Sequence, residues 1–484
     1  MTAATLPDYD AIPYESFPIL DTSPDRMASI GGLFGLDAPD PTRARILEIG
    51  CASGGNLIPL AWHWPKSECL GVELGRAQAV AGIERVARLG IPNIEIRHQD
   101  LLDLPLDGPP FDYIMAHGVY SWVPEQVRDH ILSICGARLS HTGIAYINFN
   151  SLPGGHLRQM LRGMLLHHVR DVDAPGARLR KAREMLNFLA VPLADKPLGT
   201  DWLQKELAYL RGARDSYLYH EYLEGTNEAF LFHDFVQQAS GKGLQYLADV
   251  QLHTMFADTL GAAAVTALDA LGDLLAEEQY GDFLRLRGHR QVLLCRADIE
   301  LNREIDLGRI ANLPVWTDLQ PDRGEYFRNA AGQRFAVRDK TAKRALLALS
   351  SSFPGALSLS EWLRANQTQT AGVVRDETAL EWLNLLISGA LHGTRIRDPR
   401  QERSSAAAGF DPLISEVLTQ GETRLPTPRH QTVQLDAKGL DHCRCLLAGL
   451  QAELQEAPGS KNGSRVLELL LQRHGILNPP DGGS

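Results

Sequence analysis

The sequence predicts an α/β protein built on a parallel sheet with helices on both faces, and three observations carry that expectation. Apolar strand-like runs alternate with helix-patterned runs from residue 44 to about 150. The first run ends in a glycine-rich turn that opens a helix, ARILEIGCASGGNLIPL. The 484 residues are 44% hydrophobic and 22% charged, the balance of an ordinary globular protein, with length for about three domains at roughly 150 residues each.

Taken in order, strands are predicted at ARILEIG (44–50), CLGVEL (69–74), IEIRHQD (94–100), FDYIMAHGV (111–119) and GIAYINFN (143–150). NLIPLAWHW, GRAQAVAGIERVARLG and VPEQVRDHILSICGARL lie between them with apolar spacing near 3.6 residues, which predicts helices. From Pro153 to about Tyr222 the pattern is helical throughout. LQYLADVQ and GHRQVLLCRAD (288–298) then read as a sixth and seventh strand of the same sheet, so 153–222 and 253–285 are predicted helical insertions over its cofactor edge. This makes a first domain of residues 1–299, with its core at 40–150 and a helical lid region at 153–285.

A second unit is expected over 300–400. A hairpin turning at Asn329 to Gly332, three helical runs and the strand-like GTRIRD suggest a winged-helix-like α+β domain. Its third helix, where a DNA reader would place base contacts, carries Asp376, Glu377 and Glu381 without Lys or Arg. Ser-, Gly- and Pro-rich breaks around two helical segments predict a helical tail over 401–484. A net charge of -11 opposes broad nucleic-acid binding. No basic leader with an apolar segment and no membrane-length apolar run is visible, so a cytoplasmic location without membrane insertion is expected. Six scattered cysteines fit reduced thiols, and His442-Cys443-Arg444-Cys445 lacks the second ligand pair of a metal site.

The turn decides the cofactor. A dinucleotide turn accepts a pyrophosphate, whereas here Glu48 stands two residues before Gly50 in Glu48-Ile49-Gly50-Cys51-Ala52-Ser53-Gly54-Gly55-Asn56. A carboxylate there opposes a phosphate and suits a cationic amino-acid group, which points to S-adenosylmethionine. Glu73, 19 residues after Gly54, ends the second strand where a carboxylate can accept both ribose hydroxyls. Asp100 and Leu101 end the third strand near the expected adenine, and His117 and Gly118 end the fourth near the expected methyl group. A strand-end carboxylate alone is often only a solvated cap; three at consecutive strand tips indicate a methyl-donor site.

The same residues resemble a known family: bacterial proteins that join a class I methyltransferase domain to a methyltransferase regulatory domain, among them protein-lysine methyltransferases acting on outer-membrane proteins. The resemblance lies in YDAIPYESFPILDTSPDRMASIGGLFGL, LEIGCASGGNLIPLA, FDYIMAHGVYSWVP, NSLPGGHLRQMLRGML, YLYHEYLEGTNEAFLFHDF and RGHRQVLLC. It implies a Rossmann-like seven-stranded fold, S-adenosylmethionine as donor, and a helical region closing over the site. It also implies donor contacts from Gly50, Gly54, Glu73 and Asp100, with Tyr14 and Thr22 in the segment covering the cofactor. The chain departs from the family pattern at Ala52, where the turn usually has its middle glycine, at Ser23, and at Gly155, where relatives often have Trp.

For the acceptor, Tyr120 and Trp122 are candidates for an aromatic wall around an amine, or else core packing, and His117 is the candidate base beside the fourth strand unless the donor occupies it. Asn150 can orient an acceptor or cap the next turn. His220, in the cluster Tyr217, Tyr219, His220, Glu221 and Tyr222, can contact substrate or pack between helices. Three functions remain open on the sequence: a protein methyltransferase modifying lysine, a small-molecule methyltransferase, or a donor-binding adaptor without turnover.

Overall fold

The computed structural model describes residues 12, 14–193, 201–329, 332–366, 374–399, 409–447, 471–472, 474 and 476–478. Seven strands form one sheet: β1 (Arg45–Ile49), β2 (Glu68–Glu73), β3 (Ile94–His98), β4 (Phe111–Ala116), β5 (Leu139–Ser151), β7 (Leu244–Asp249) and β8 (His289–Arg296). A two-residue strand, β6 (Ala229–Phe230), pairs in parallel with Asn150 and Ser151 at the end of β5. The order is β3-β2-β1-β4-β5-β8-β7, with β1 to β5 parallel and β8 antiparallel to both its neighbours. This is the Rossmann-like methyltransferase sheet that the sequence predicts, including both late strands. Order reverses between β1 and β4, which opens a crevice beyond their carboxyl ends.

Alternate side chains of the central strands serve two cores, as a period of two requires when both faces are covered. Ile46, Met115, Tyr146 and Leu293 face helices α1 (Pro24–Leu33) and α2 (Leu57–His63). Leu47, Ile114, Ile147 and Leu294 face α4 (Glu125–Arg138), which follows α3 (Arg76–Leu89) in the chain, and α9 (Phe232–Ser240). Helices α5 (Gly155–His168), α6 (Pro175–Leu193), α7 (Asp201–Gly212) and α8 (Asp215–Tyr222) pack around a separate core that includes Leu161, Leu165, Leu186, Leu207 and Leu218. The expected insertion at 253–285 contains α10 (Ala262–Asp269) and α11 (Leu274–Arg285).

Beyond the sheet, Tyr326–Arg328 and Arg334–Ala336 pair as the predicted hairpin, whose tip at 330–331 lies outside the described residues. Helices at Lys340–Ser352, Leu359–Ala365 and Asp376–Ile387 match the three predicted runs. The strand expected at 393–398 shortens to His392–Gly393, paired with Val315–Trp316. Thr394 instead turns its buried hydroxyl onto Asp25 Oδ2 at 2.5 Å. Leu346, Trp362, Trp382 and Leu385 join the same apolar cluster as α1, so this region and one face of the sheet share a continuous core. The tail is not purely helical. Between helices Pro412–Thr419 and Ala437–Leu447 runs an antiparallel hairpin, Arg424–Pro426 with Thr432–Gln434, because Pro426 and Pro428 break a helix there. Of the His442–Cys445 group, the side chains of His442 and Cys445 lie outside the described residues; among those described, no three His, Cys, Asp or Glu side chains gather to hold a metal. No described helix is long and apolar enough to cross a membrane.

One buried charge cluster fixes α11 to the sheet. The Arg290 guanidinium on β8 bonds Asp282 at 2.8 and 2.9 Å and Glu278 Oε2 at 2.9 Å, 3.8 Å above the Phe232 ring. Arg287 reaches Asp249 at 2.7 Å beside it. Burial raises the pKa of Glu278 and Asp282, and the arginine charge opposes it. Removing Arg290 strands buried acids. Arg290→Ala should therefore lower stability by about 3–5 kcal/mol. Arg296→Ala, breaking the exposed pair with Asp298, should cost below about 1 kcal/mol, both read by urea unfolding.

Candidate active site

The turn after β1 takes its shape from three left-handed residues, Gly50 at φ +70°, Ala52 at +49° and Gly54 at +75°. Glycine is required by neighbours as well as by dihedral angle: a Cβ at Gly54 would lie 2.7 Å from Ile96 Cδ1. At Gly55 it would lie 2.2 Å from the Ser16 carbonyl oxygen, so the N-terminal segment passes directly over the turn. Ala52 replaces a glycine without losing the turn, at the modest cost of a non-glycine residue in this region. Its N–H donates to Glu73 Oε2 at 2.8 Å, while the Gly75 N–H donates to Oε1 at 2.6 Å. The carboxylate at the end of β2 is thus held rigid from both sides. A carboxylate fixed at this strand end is the group that accepts ribose hydroxyls in such folds.

Glu48 is buried in front of the turn. Its Oε1 accepts from Asn56 Nδ2 at 2.7 Å, whereas Oε2 is buried without a hydrogen-bond partner. Burial pushes its pKa up to about 8, with the Asn56 bond opposing and the nearby Glu73 charge adding to the rise. Asn56 Oδ1 accepts from the Ile19 N–H at 2.9 Å, from Thr22 Oγ1 at 3.2 Å and from His430 Nε2 at 2.7 Å. Thr22 therefore acts through Asn56. His430, unanticipated in the sequence, sits at the tip of the tail hairpin with φ +56°, and burial holds its pKa near 3. No motif marked it; only the proline-flanked TPRH turn gave a local sign.

At the neighbouring strand ends, Asp100 is exposed and caps the turn Leu101–Asp103 through the Leu102 N–H at 3.0 Å. Leu101 is buried in the core beside β1 and β4. His117 lies almost parallel to Tyr146 with ring centroids 6.0 Å apart, and burial lowers its pKa to about 4 against the pull of Asp21. The Gly118 N–H donates to Asn148 Oδ1 at 2.7 Å, and Asn148 Nδ2 meets His289 Nε2 at 3.2 Å. His289 is likewise lowered to about 4, by burial and then by His117. These groups fit S-adenosylmethionine: Glu48 Oε2 would accept from its ammonium and the fixed Glu73 carboxylate would hold its ribose, with the neutral His117 and His289 at the neighbouring strand ends.

The acceptor candidates separate. Tyr120 is core, not wall: its ring packs edge-on to Phe230 and Phe235, and its hydroxyl donates to Gln238 Oε1 at 3.1 Å. An aromatic so enclosed by other aromatics cannot face a substrate. Trp122 is half-buried, and its buried indole N–H has no hydrogen-bond partner. Asn150 closes β5 with its Oδ1 unpartnered. His220 is fully buried, meeting Glu224 Oε1 at 3.0 Å and the Ile12 carbonyl at 2.7 Å. It stacks on Tyr14 at 3.6 Å, so the pair fastens the N-terminal segment, expected to cover the cofactor, to α8.

Two outcomes test this geometry. Glu73→Ala should weaken S-adenosylmethionine binding by about 2 kcal/mol or more, read by calorimetry on the folded variant. For Glu48, the folded carboxyl holds its proton up to about pH 8 while the unfolded one releases it near 4.5, so the wild type loses stability as pH rises through that window. Glu48→Gln should therefore be more stable than the wild type at pH 8.5, with little difference at pH 5, while binding the donor more weakly.

Comparison with known proteins agrees with this reading. A "Methyltransferase domain" family matches residues 46–143, and a "Predicted methyltransferase regulatory domain" family matches 214–296. An uncharacterised protein of Rickettsia prowazekii is 35% identical over 240 residues, which cover 49% of this chain and 96% of the relative. Another from the same organism is 38% identical over 323 residues, 66% of this chain, and the matched part spans only 58% of that relative's length. PKMT2 from Rickettsia typhi, also solved in complex with AdoHcy, shares the fold over 96% of this chain and 99% of its own, with 24% identity and TM-scores of 0.80 and 0.81. The chain belongs to the class I S-adenosylmethionine-dependent methyltransferases that carry a methyltransferase regulatory domain.

Proposed function

We propose that the protein methylates the side-chain amine of lysine in a protein acceptor. Bound at the turn, S-adenosylmethionine supplies a methyl group already activated on a sulfonium, so the protein's part is to position the acceptor and exclude water. Glu48 and Glu73 bind and orient the donor, and Asn148 fixes the end of β4 through the Gly118 N–H.

The choice of an amine is carried by the fold shared with PKMT2 along nearly the whole chain, and the imidazoles of the site accord with it. The two imidazoles joined to that edge, His117 and His289, are both lowered to about 4 by burial and are poor proton acceptors at neutral pH. A hydroxyl acceptor is best served by a base with pKa near the working pH. A lysine amine instead becomes nucleophilic through desolvation, which lowers its pKa. The resemblance to lysine methyltransferases supports the same reading. The acidic helix Asp376–Ile387 favours a protein-facing role for the C-terminal region over duplex DNA.

Labelled donor incubated with bacterial lysate should yield methyl-lysine after hydrolysis of the protein fraction, at a rate that climbs from neutral pH without an optimum near 6 to 7. Trp122→Ala should lower that rate severalfold while leaving donor affinity nearly intact, as expected of a ring on the acceptor side. Label on oxygen or carbon would overturn the amine, label confined to extractable small molecules would favour a small acceptor, and no label at all an adaptor.

A further inference from the structure

Where β5 ends, a small recess opens between α5, α8 and the turn before β6, walled by Asn150, Arg158, Glu221, Tyr222 and Asn227, with room for a water-sized group. Asn150 is 5% exposed. Its N–H donates to Ser121 Oγ at 2.8 Å, and its Nδ2 donates to Asn227 Oδ1 at 2.8 Å. Asn227 Nδ2 in turn donates to the Glu221 carbonyl at 2.9 Å. That carbonyl can only accept, so it fixes which end of the Asn227 amide faces Asn150 and hence which end of Asn150 remains. The end left over is Oδ1, a buried acceptor without a partner.

The recess adjoins the methyl-transfer edge. Asn148 and Asn150 lie on the same face of β5, two residues and thus about 6–7 Å apart. Asn148 is the residue bound to the Gly118 N–H at the end of β4. The charged and titratable groups around Glu221 come from three helices: Arg158 and Arg162 on α5, Glu206 on α7, and His220 and Tyr217 on α8 itself. Arg162 is engaged with the carbonyls of Tyr222, Glu224 and Gly225. Burial lifts the Glu221 carboxyl to about 7.

We propose that this recess receives the acceptor amine, with Asn150 Oδ1 orienting it and Glu221 taking its proton. The proposal rests on the amine reading above. An orphan acceptor and a carboxyl call for a hydrogen-bond donor of water size, which excludes a carboxylate and is too small for a guanidinium. Arg158 and Arg162 disfavour a second cation, so the bound amine is held in its neutral, nucleophilic form. The ammonium first gives a proton to ionised Glu221. The nitrogen lone pair then forms the N–C bond as the methyl carbon's bond to sulfur breaks, and that electron pair stays on sulfur. The methylated ammonium loses its further proton to solvent.

The test uses the full chain, labelled S-adenosylmethionine and the lysate protein fraction, with methyl-lysine quantified after hydrolysis. For the wild type, methyl-lysine formation should rise nearly tenfold per pH unit below about 7 and less steeply above. Glu221→Gln should lose that inflection near 7 and fall at least tenfold at neutral pH, with donor affinity unchanged by calorimetry. Asn150→Ala, which keeps its backbone bond to Ser121, should raise the amount of acceptor needed for half-maximal rate at unchanged donor affinity, and it carries the test if Glu221→Gln fails to bind donor. A Glu221→Gln variant with the wild-type pH profile, or an Asn150→Ala variant with wild-type acceptor dependence, overturns the proposal and leaves lysine methylation standing. A wild type that makes no methyl-lysine overturns the amine reading itself.

Discussion

The side chain of Asn56 is the contact on which the donor site depends. Its amide nitrogen bonds Glu48 from β1 and the Thr22 hydroxyl, and its oxygen gathers the Ile19 N–H, the Thr22 hydroxyl and the His430 ring. Three stretches of chain, the N-terminal segment, the β1 turn and the tail hairpin, therefore meet at one primary amide. The charge bonds around it point the same way. Arg85 and Arg88 on α3 meet Glu416 of the tail at 3.0 and 2.8 Å, and the Trp62 indole on α2 donates to Asp411 at 3.0 Å. The tail is thereby fastened to the two helices that follow the donor-binding strands.

Buried carboxyl and amide groups are held differently at the α11 cluster and at the donor site. Around Arg290, each buried carboxylate faces a guanidinium, and the cluster acts as a rivet between α11 and the sheet. At Glu48 and Asn150 a buried oxygen has, among the described residues, no hydrogen-bond partner and no guanidinium bonded to the group. An unmet buried acceptor is costly in a folded protein, and a ligand that donates to it recovers that cost on binding. The two orphans lie on β1 and β5, on either side of β4, the strand that ends in His117.

The sheet was legible because period-two strands, helical spacing and a glycine turn are local signals. All seven predicted strands form, most within one or two residues of the expected ends. Glu48 and Glu73 stand out in the sequence because acids at successive strand tips beside such a turn form a pattern that a single solvated cap does not. For Tyr120 the sequence leaves wall and core open, because only tertiary packing brings Phe149, Phe230 and Phe235 around it. His220 likewise looked available until Ile12 and Tyr14 were seen against it. His430 was illegible for a different reason: its partner lies 374 positions away, and no periodicity reports a contact of that range.

That separation bears on how the protein is made. The donor turn is complete in sequence by Asn56, yet one of the three bonds on its amide oxygen comes from a hairpin near the far end of the chain. While the polypeptide is being synthesised, the sheet can assemble as soon as β8 has emerged, but the turn then lacks its His430 contact. The turn therefore reaches its full set of contacts only once His430 has been made, well after the last strand of the sheet.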